Sequence, residues 1–220
     1  MKRVVLLVLA AFVVSICAWP AGAAYDPLSS SRTERAKAEA FNGKMELLVR
    51  DVGKLADQIA AYNKPAFEVR LTREERQYQE MGEDNYRTSR ILYNRVWAKD
   101  KTLVLGEARG DKRFYATFLT TIDPEYSFVG GIRVGAGTKI LENFFGDSIM
   151  NAGNVEGQKV TLTGPDYGPT DGGPDHVNIT CVNGVITEIR LYRSGSYVFS
   201  FKALDFANKR LHQMGLANIY

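Results

Sequence analysis

The residue types best suited to chemistry gather in TLTGPDYGPTDGGPDHVN, residues 161 to 178, where Asp166, Asp171, Asp175 and His176 stand within one short stretch. Three carboxylates offer hard oxygen donors to a cation and the imidazole adds a nitrogen donor, so a metal-dependent hydrolase is one reading of this loop. The acids fit no calcium-loop spacing, however, and Asp, Gly and Pro are also the ordinary vocabulary of turns. No metal site and no cofactor is therefore expected. With Tyr167, these residues form instead a candidate binding loop at the tip of a hairpin.

A second candidate is VGGIRVGAGTKILENFFGDS, residues 129 to 148. A phosphate-cradling P-loop places Lys and then a hydroxyl directly after its last glycine, whereas here the order is Gly137, Thr138, Lys139. The dinucleotide pattern fails too, because Ile140 stands where a third glycine would let helix and strand approach. The stretch reads better as a structural corner. Ile132 and Val134 alternate as in a strand, Gly135 to Gly137 permit a sharp turn, and Thr138 caps a helix that turns Ile140, Leu141, Phe144 and Phe145 inward and ends at Gly146.

Other reactive groups are isolated. Cys181 and His176 lie at opposite parity along one strand pattern, so a thiol and its base would face opposite ways, and an inert buried cysteine is expected. His212 sits among Lys209, Arg210 and Gln213 in a charged helix, as a surface residue would. The pairs Glu74 and Glu75, and Glu80 and Glu83, fall on a highly charged helical run that reads as a solvated face. Arg190, Tyr192, Arg193 and Tyr197 combine the residue types of recognition surfaces, and the same types are ordinary on the open face of an antiparallel sheet. Both readings stay open here.

The elements that must position these groups begin behind a leader. Lys2 and Arg3 precede an apolar run from Val4 to Ala18, and small residues follow at Ala21, Gly22 and Ala23, the pattern of a secretory signal peptide spanning residues 1 to 23. The run is too short for a comfortable membrane span, which needs about 20 residues. Ile16 ahead of Cys17 suits lipoprotein processing poorly. Without the leader only Cys181 remains, so no internal disulfide can form and packing must supply stability. The formal charge of +3 includes Lys2 and Arg3, leaving a near-neutral product that argues against capture of nucleic acid or anionic lipid.

From Thr33 to Tyr62, Phe41, Met45, Leu48, Val52, Leu55, Ile59 and Tyr62 follow steps of four and three, which puts one apolar seam on a helix. Pro65 ends that helix, and Thr72-Arg-Glu-Glu75 has the capping-box pattern that opens a second one. A further stretch from Tyr86 to Trp97 carries Leu92, Tyr93, Val96 and Trp97 to one side, so residues 24 to 100 read as a helical hairpin. The seam is expected to face that second arm, or else a second copy of the chain through Phe41, Met45, Leu48, Val52, Leu55 and Ile59. After Lys101 the texture turns to strands: 102 to 108 and 113 to 122 around a tight reversal, 159 to 162, then 177 to 181 and 185 to 192 around Asn183-Gly184. A C-terminal helix from about Lys202 to Met214 faces Leu204, Ala207 and Leu211 inward and closes at Gly215. The expected fold is α+β: a helical hairpin, then over residues 101 to 220 a four- to five-stranded antiparallel sheet with a short internal helix and a C-terminal helix.

Gly131-Ile-Arg-Val-Gly135, Phe145-Gly146 and Gly184-Val-Ile-Thr-Glu-Ile189 together resemble the repeat unit of the beta-lactamase-inhibitor-protein-like fold, which small outer-membrane assembly lipoproteins share. The resemblance covers about residues 113 to 192 and implies a binding or assembly module rather than an enzyme. The chain departs from that pattern at Tyr126-Ser-Phe-Val-Gly130. The expectation is thus a periplasmic or secreted non-enzymatic module that recognises an envelope protein or a small ligand. The alternatives are a hydrolase using Asp171, Asp175 and His176, or an oligomer built on the helical seam.

Overall fold

The computed structural model describes residues 31–75, 92–109, 113–146, 154–156, 159–162, 175–193 and 199–219. The signal-peptide reading of residues 1 to 23 lies outside these, as do Asp166, Tyr167, Asp171, Tyr197, Glu80 and Glu83.

Helix α1, Arg32–Tyr62, opens on a capping box: the Ser31 amide donates to Glu34 Oε2 at 2.6 Å and the Glu34 amide to Ser31 Oγ at 3.3 Å. Its seam is buried, with Phe41, Met45, Leu48, Val52, Ala56 and Ile59 packed inward and Leu55 half-buried against them. The surface that receives them is a sheet, and the seam is filled within one chain instead of being left for a second copy.

Among the described residues that sheet has eight antiparallel strands, in the order β1-β2-β3-β4-β8-β7-β6-β5. They are β1 Phe67–Arg70, β2 Leu92–Lys99, β3 Thr102–Arg109, β4 Arg113–Thr121, β5 Asn154–Glu156, β6 Lys159–Leu162, β7 His176–Val182 and β8 Val185–Tyr192. The protein is α+β, as its sequence predicts, with more strands than the four or five expected. The expected second helical arm is corrected here. Thr72 and Glu75 do form the capping box, at 2.6 and 3.2 Å, and residues 73–75 are helical. Leu92 to Trp97, however, belong to β2, paired with both β1 and β3. Their one-sided helical appearance arises because both faces of β2 are covered, which erases the period-two alternation of a half-exposed strand. Val96 joins the apolar cluster on one face and Trp97 the cluster on the other.

Each face has its own helix. On the α1 side, Trp97, Val104, Leu119, Val177, Ile179, Cys181, Ile186, Ile189 and Leu191 meet the seam. The opposite side is covered by α3, Phe201–Gln213, whose Ala203, Ala207 and Leu211 pack on Val96, Leu103, Leu105 and Phe118, with Ile219 of the tail beside them. Leu204, expected inward, is half-buried at the margin of this cluster.

The β7–β8 hairpin turns at Asn183 and Gly184 with φ of 51° and 74°, the conformation that favours Asn-Gly in a two-residue loop. The glycine corner docks on this turn. Residues 129–131 form a short 3₁₀ turn and 132–134 are irregular instead of a strand. Helix α2, Lys139–Phe145, follows and ends at Gly146 with φ 62°. Thr138 makes no side-chain cap; its amide donates instead to the Gly184 carbonyl at 2.9 Å.

Candidate functional site

The glycine corner has little left for a phosphate. Its amides at Gly131, Gly135, Ala136, Thr138, Ile140 and Leu141 all donate to backbone carbonyls, Gly135 to Ile186 at 2.8 Å and Thr138 to Gly184 at 2.9 Å among them. Lys139 reaches back to Glu142 at 2.8 Å. An anion-binding corner needs amides that point at solvent, and these are committed to the fold. The stretch is a joint between sheet and helix.

The residues expected to act together near 175 are separated by the pleat. Asp175 lines a cleft on the α1 side of the sheet. His176 stacks on Tyr192, with ring centroids 5.0 Å apart and planes 16° apart, and Tyr192 in turn meets Phe118 edge-on within the α3-side cluster. Successive strand residues point to opposite faces, so this aspartate and this histidine do not converge. Among the described residues no three His, Cys, Asp or Glu side chains are grouped as metal ligands. Cys181 is buried in the α1-side core, and burial pushes its thiol up to about 12, which leaves it protonated and unreactive at neutral pH.

Arg190 is not on an open surface. It is buried beside Glu188, with which it forms a close ion pair, and its two terminal nitrogens donate to the carbonyls of Asn218 at 3.0 Å and Ala217 at 2.7 Å. Thr120 Oγ1 donates to the same Glu188 oxygen at 3.0 Å. The side chain clamps the C-terminal tail to the sheet. His212, exposed as expected, meets Asn218 at 2.7 Å in the same tail. Glu75 is also structural: one carboxylate receives the Thr72 amide at 2.6 Å and the Phe201 amide at 3.3 Å, joining two helix starts. Burial pushes its pKa up, but these hydrogen bonds with that of Ser200 outweigh the push and hold it below the usual carboxylate value.

What the fold does build is the cleft, about 520 Å³, between α1, the beginnings of β4 and β7 and the end of β8. Glu46, Val49, Arg50, Lys54 and Asp57 line it from α1, and Tyr115, Asp175 and Arg193 from the sheet side. Arg193 is its fixed element. The guanidinium donates to both Asp57 oxygens, at 2.7 and 2.9 Å, and to the Ala116 carbonyl at 3.1 Å, and lies 5.2 Å from the centre of the Tyr115 ring. Burial works against its charge, yet the bonds and charge of Asp57, with Tyr115 and Asp175 near, hold its pKa above the ordinary arginine value.

Gly53 makes this docking possible. A Cβ built there would stand 2.4 Å from the Arg193 Nη2, so a side chain would displace the guanidinium from the helix. As sequence, Gly53 reads only as a weak point in α1, costing up to about 1 kcal/mol relative to Ala. Arg193 and Asp57 are separated by 136 positions, and no spacing rule links them. No sequence signal separates Gly53 from Gly43 in the same helix, where an added Cβ would meet nothing within 4 Å. No family model matches the chain, and no curated protein or solved structure matches it.

Proposed function

We propose that the protein is an exported, non-enzymatic binding module whose ligand site is the cleft between α1 and the end of the sheet. The observation that carries this reading is the locked Arg193: a largely enclosed cation, bonded to both Asp57 oxygens and to the Ala116 carbonyl, forms a rigid wall beside an aromatic ring, as a preformed small-molecule site requires. Among the described residues that line it there is no Ser, Cys or His to serve as nucleophile or neutral-pH base. The resemblance of residues 113 to 192 to binding and assembly modules points the same way. Export rests on the pattern of residues 1 to 23, and N-terminal sequencing of the mature protein should start at Ala24 or Tyr25.

An NMR screen of the full chain against neutral, cationic, zwitterionic and anionic small molecules tests the cleft. Binders should shift the resonances of Val49 and Tyr115 and should weaken in Arg193→Met. A set of binders that leaves both residues unmoved, or turnover of an ester, amide or phosphoester substrate by the purified chain, would overturn the reading. The hydrolase alternative loses its main support from the separation of Asp175 and His176 across the sheet.

A further inference from the structure

The cleft holds its charges in balance. Three carboxylates, Glu46, Asp57 and Asp175, and three cations, Arg50, Lys54 and Arg193, line it, so it has no net charge with which to select an ion of either sign. Nor are the signs gathered into an acidic and a basic half. Along successive turns of α1 they run acid, base, base, acid at Glu46, Arg50, Lys54 and Asp57. Asp57 and Arg193 are closed on each other, whereas Glu46, Arg50 and Lys54 are exposed and form no ion pair among the described residues. An acceptor-only carboxylate and two donor-only cations therefore stand side by side with hydrogen-bonding capacity to spare. The apolar part of the lining is Val49 and the Tyr115 ring. Tyr115 is 43% exposed, and the Arg193 guanidinium lies over its ring, so the ring is braced while it still reaches the cleft.

We infer that the cleft takes an uncharged saccharide, whose C–H face stacks on the Tyr115 ring while its hydroxyls bond to Glu46, Arg50 and Lys54. The inference rests on the cleft being the ligand site. A hydroxyl donates and accepts through a single oxygen, so one neutral molecule can donate to the Glu46 carboxylate and accept from the two cations, each bond charge-assisted. A small ion satisfies one sign and is repelled by the other, and a zwitterion finds no separate poles to align it. The ring adds an apolar platform for the C–H face of a pyranose, which the charges alone do not provide. The volume of about 520 Å³ lies in the range of small-molecule sites. Arg193 is a positioning residue here, because Asp57 and the Ala116 carbonyl already occupy its donors on the helix side and its guanidinium braces the ring.

The full chain is titrated with cellobiose, maltose and N-acetylglucosamine, and with sorbitol, which has the hydroxyls but no ring, following Val49 and Tyr115 by NMR. At least one saccharide should give saturable shifts and sorbitol none. The affinity should be the same in about 0.05 and about 0.5 M salt, since no net charge is neutralised on binding. Tyr115→Ala and Glu46→Ala, followed through Val49, should each weaken binding about tenfold. Lys139→Gln, which removes a cation paired with Glu142 outside the cleft, should change nothing. Saccharide binding that is unaltered in Tyr115→Ala and Glu46→Ala, that sorbitol matches, or that collapses in salt would overturn the inference. If charged molecules from the wider screen shift Val49 and Tyr115 while no saccharide does, the saccharide falls and the cleft stands. If nothing shifts them, both fall.

Discussion

Arg190 and Arg193 stand three residues apart at the end of β8, and they meet opposite faces of the sheet with opposite outcomes. Their side chains are similarly enclosed, 10% and 11% exposed, and each is paired with a carboxylate. Arg190 is sealed among Glu188, Thr120 and the carbonyls of residues 217 and 218, so that side of the molecule is closed by the chain's own tail. Arg193 has as its partner Asp57, which is 54% exposed and lies on the rim of an open cleft. The same residue type therefore builds a fastening on the α3 side and a wall on the α1 side. The difference is whether water, and so a ligand, can reach the pair.

Breaking the fastening should have the largest effect. Arg190→Met leaves Glu188 buried with the Thr120 hydroxyl as its remaining strong donor and strips two tail carbonyls of their partner, a loss of about 3 to 5 kcal/mol by urea denaturation. Arg193→Met should cost only about 1 to 2 kcal/mol by the same measurement, because the half-exposed Asp57 rehydrates once released. Equal losses in the two variants would erase the contrast between a sealed and an open face.

Smaller perturbations sharpen it. Gly53→Ala combines a helix-propensity gain of up to about 1 kcal/mol with displacement of the guanidinium, so stability should move by less than about 1 kcal/mol while the Arg193 Nε resonance shifts and ligand binding weakens. A stability gain with an unmoved Arg193 would show that the glycine is not there for the arginine. On the other face, the Glu75 carboxylate has a depressed pKa. Its stabilising contribution is fully present above the ordinary value of 4.5 and is lost as pH falls through the lower folded value. The wild-type melting temperature should therefore drop slightly more than that of Glu75→Gln on acidification below about pH 4.5. Parallel curves would remove Glu75 from the linkage between the two helix starts.

Local patterns made some of this molecule legible. The seam of α1 follows helical spacing closely enough to name Phe41, Met45, Leu48, Val52 and Ile59 as buried, although Tyr62, placed on the same seam, is exposed and the predicted set omits Ala56; Asn183-Gly184 announces the hairpin it forms. Gly137-Thr138-Lys139 was read against a nucleotide loop from residue order, and the committed amides of the corner agree. In β2, apolar residues on both faces mimic a helical stripe, so its sequence reads as a helix. Arg190 reads as a surface residue in the sequence, which does not record that α3 and residues 216–219 fold over it.

The sequence by itself determined where α1 ends and where the β7–β8 hairpin turns, which face of α1 is apolar, and that Cys181 and His176 cannot act together, since each follows from a helix-breaking proline, turn residues and the periods of helix and strand. Only the tertiary structure decided that the seam is covered by a sheet, that Asp175 and His176 part company across it, and that Gly53, Asp57, Tyr115 and Arg193 meet. Asp57 and Arg193 meet across 136 positions, and contacts at that separation arise from how helix and sheet pack, which no local pattern encodes.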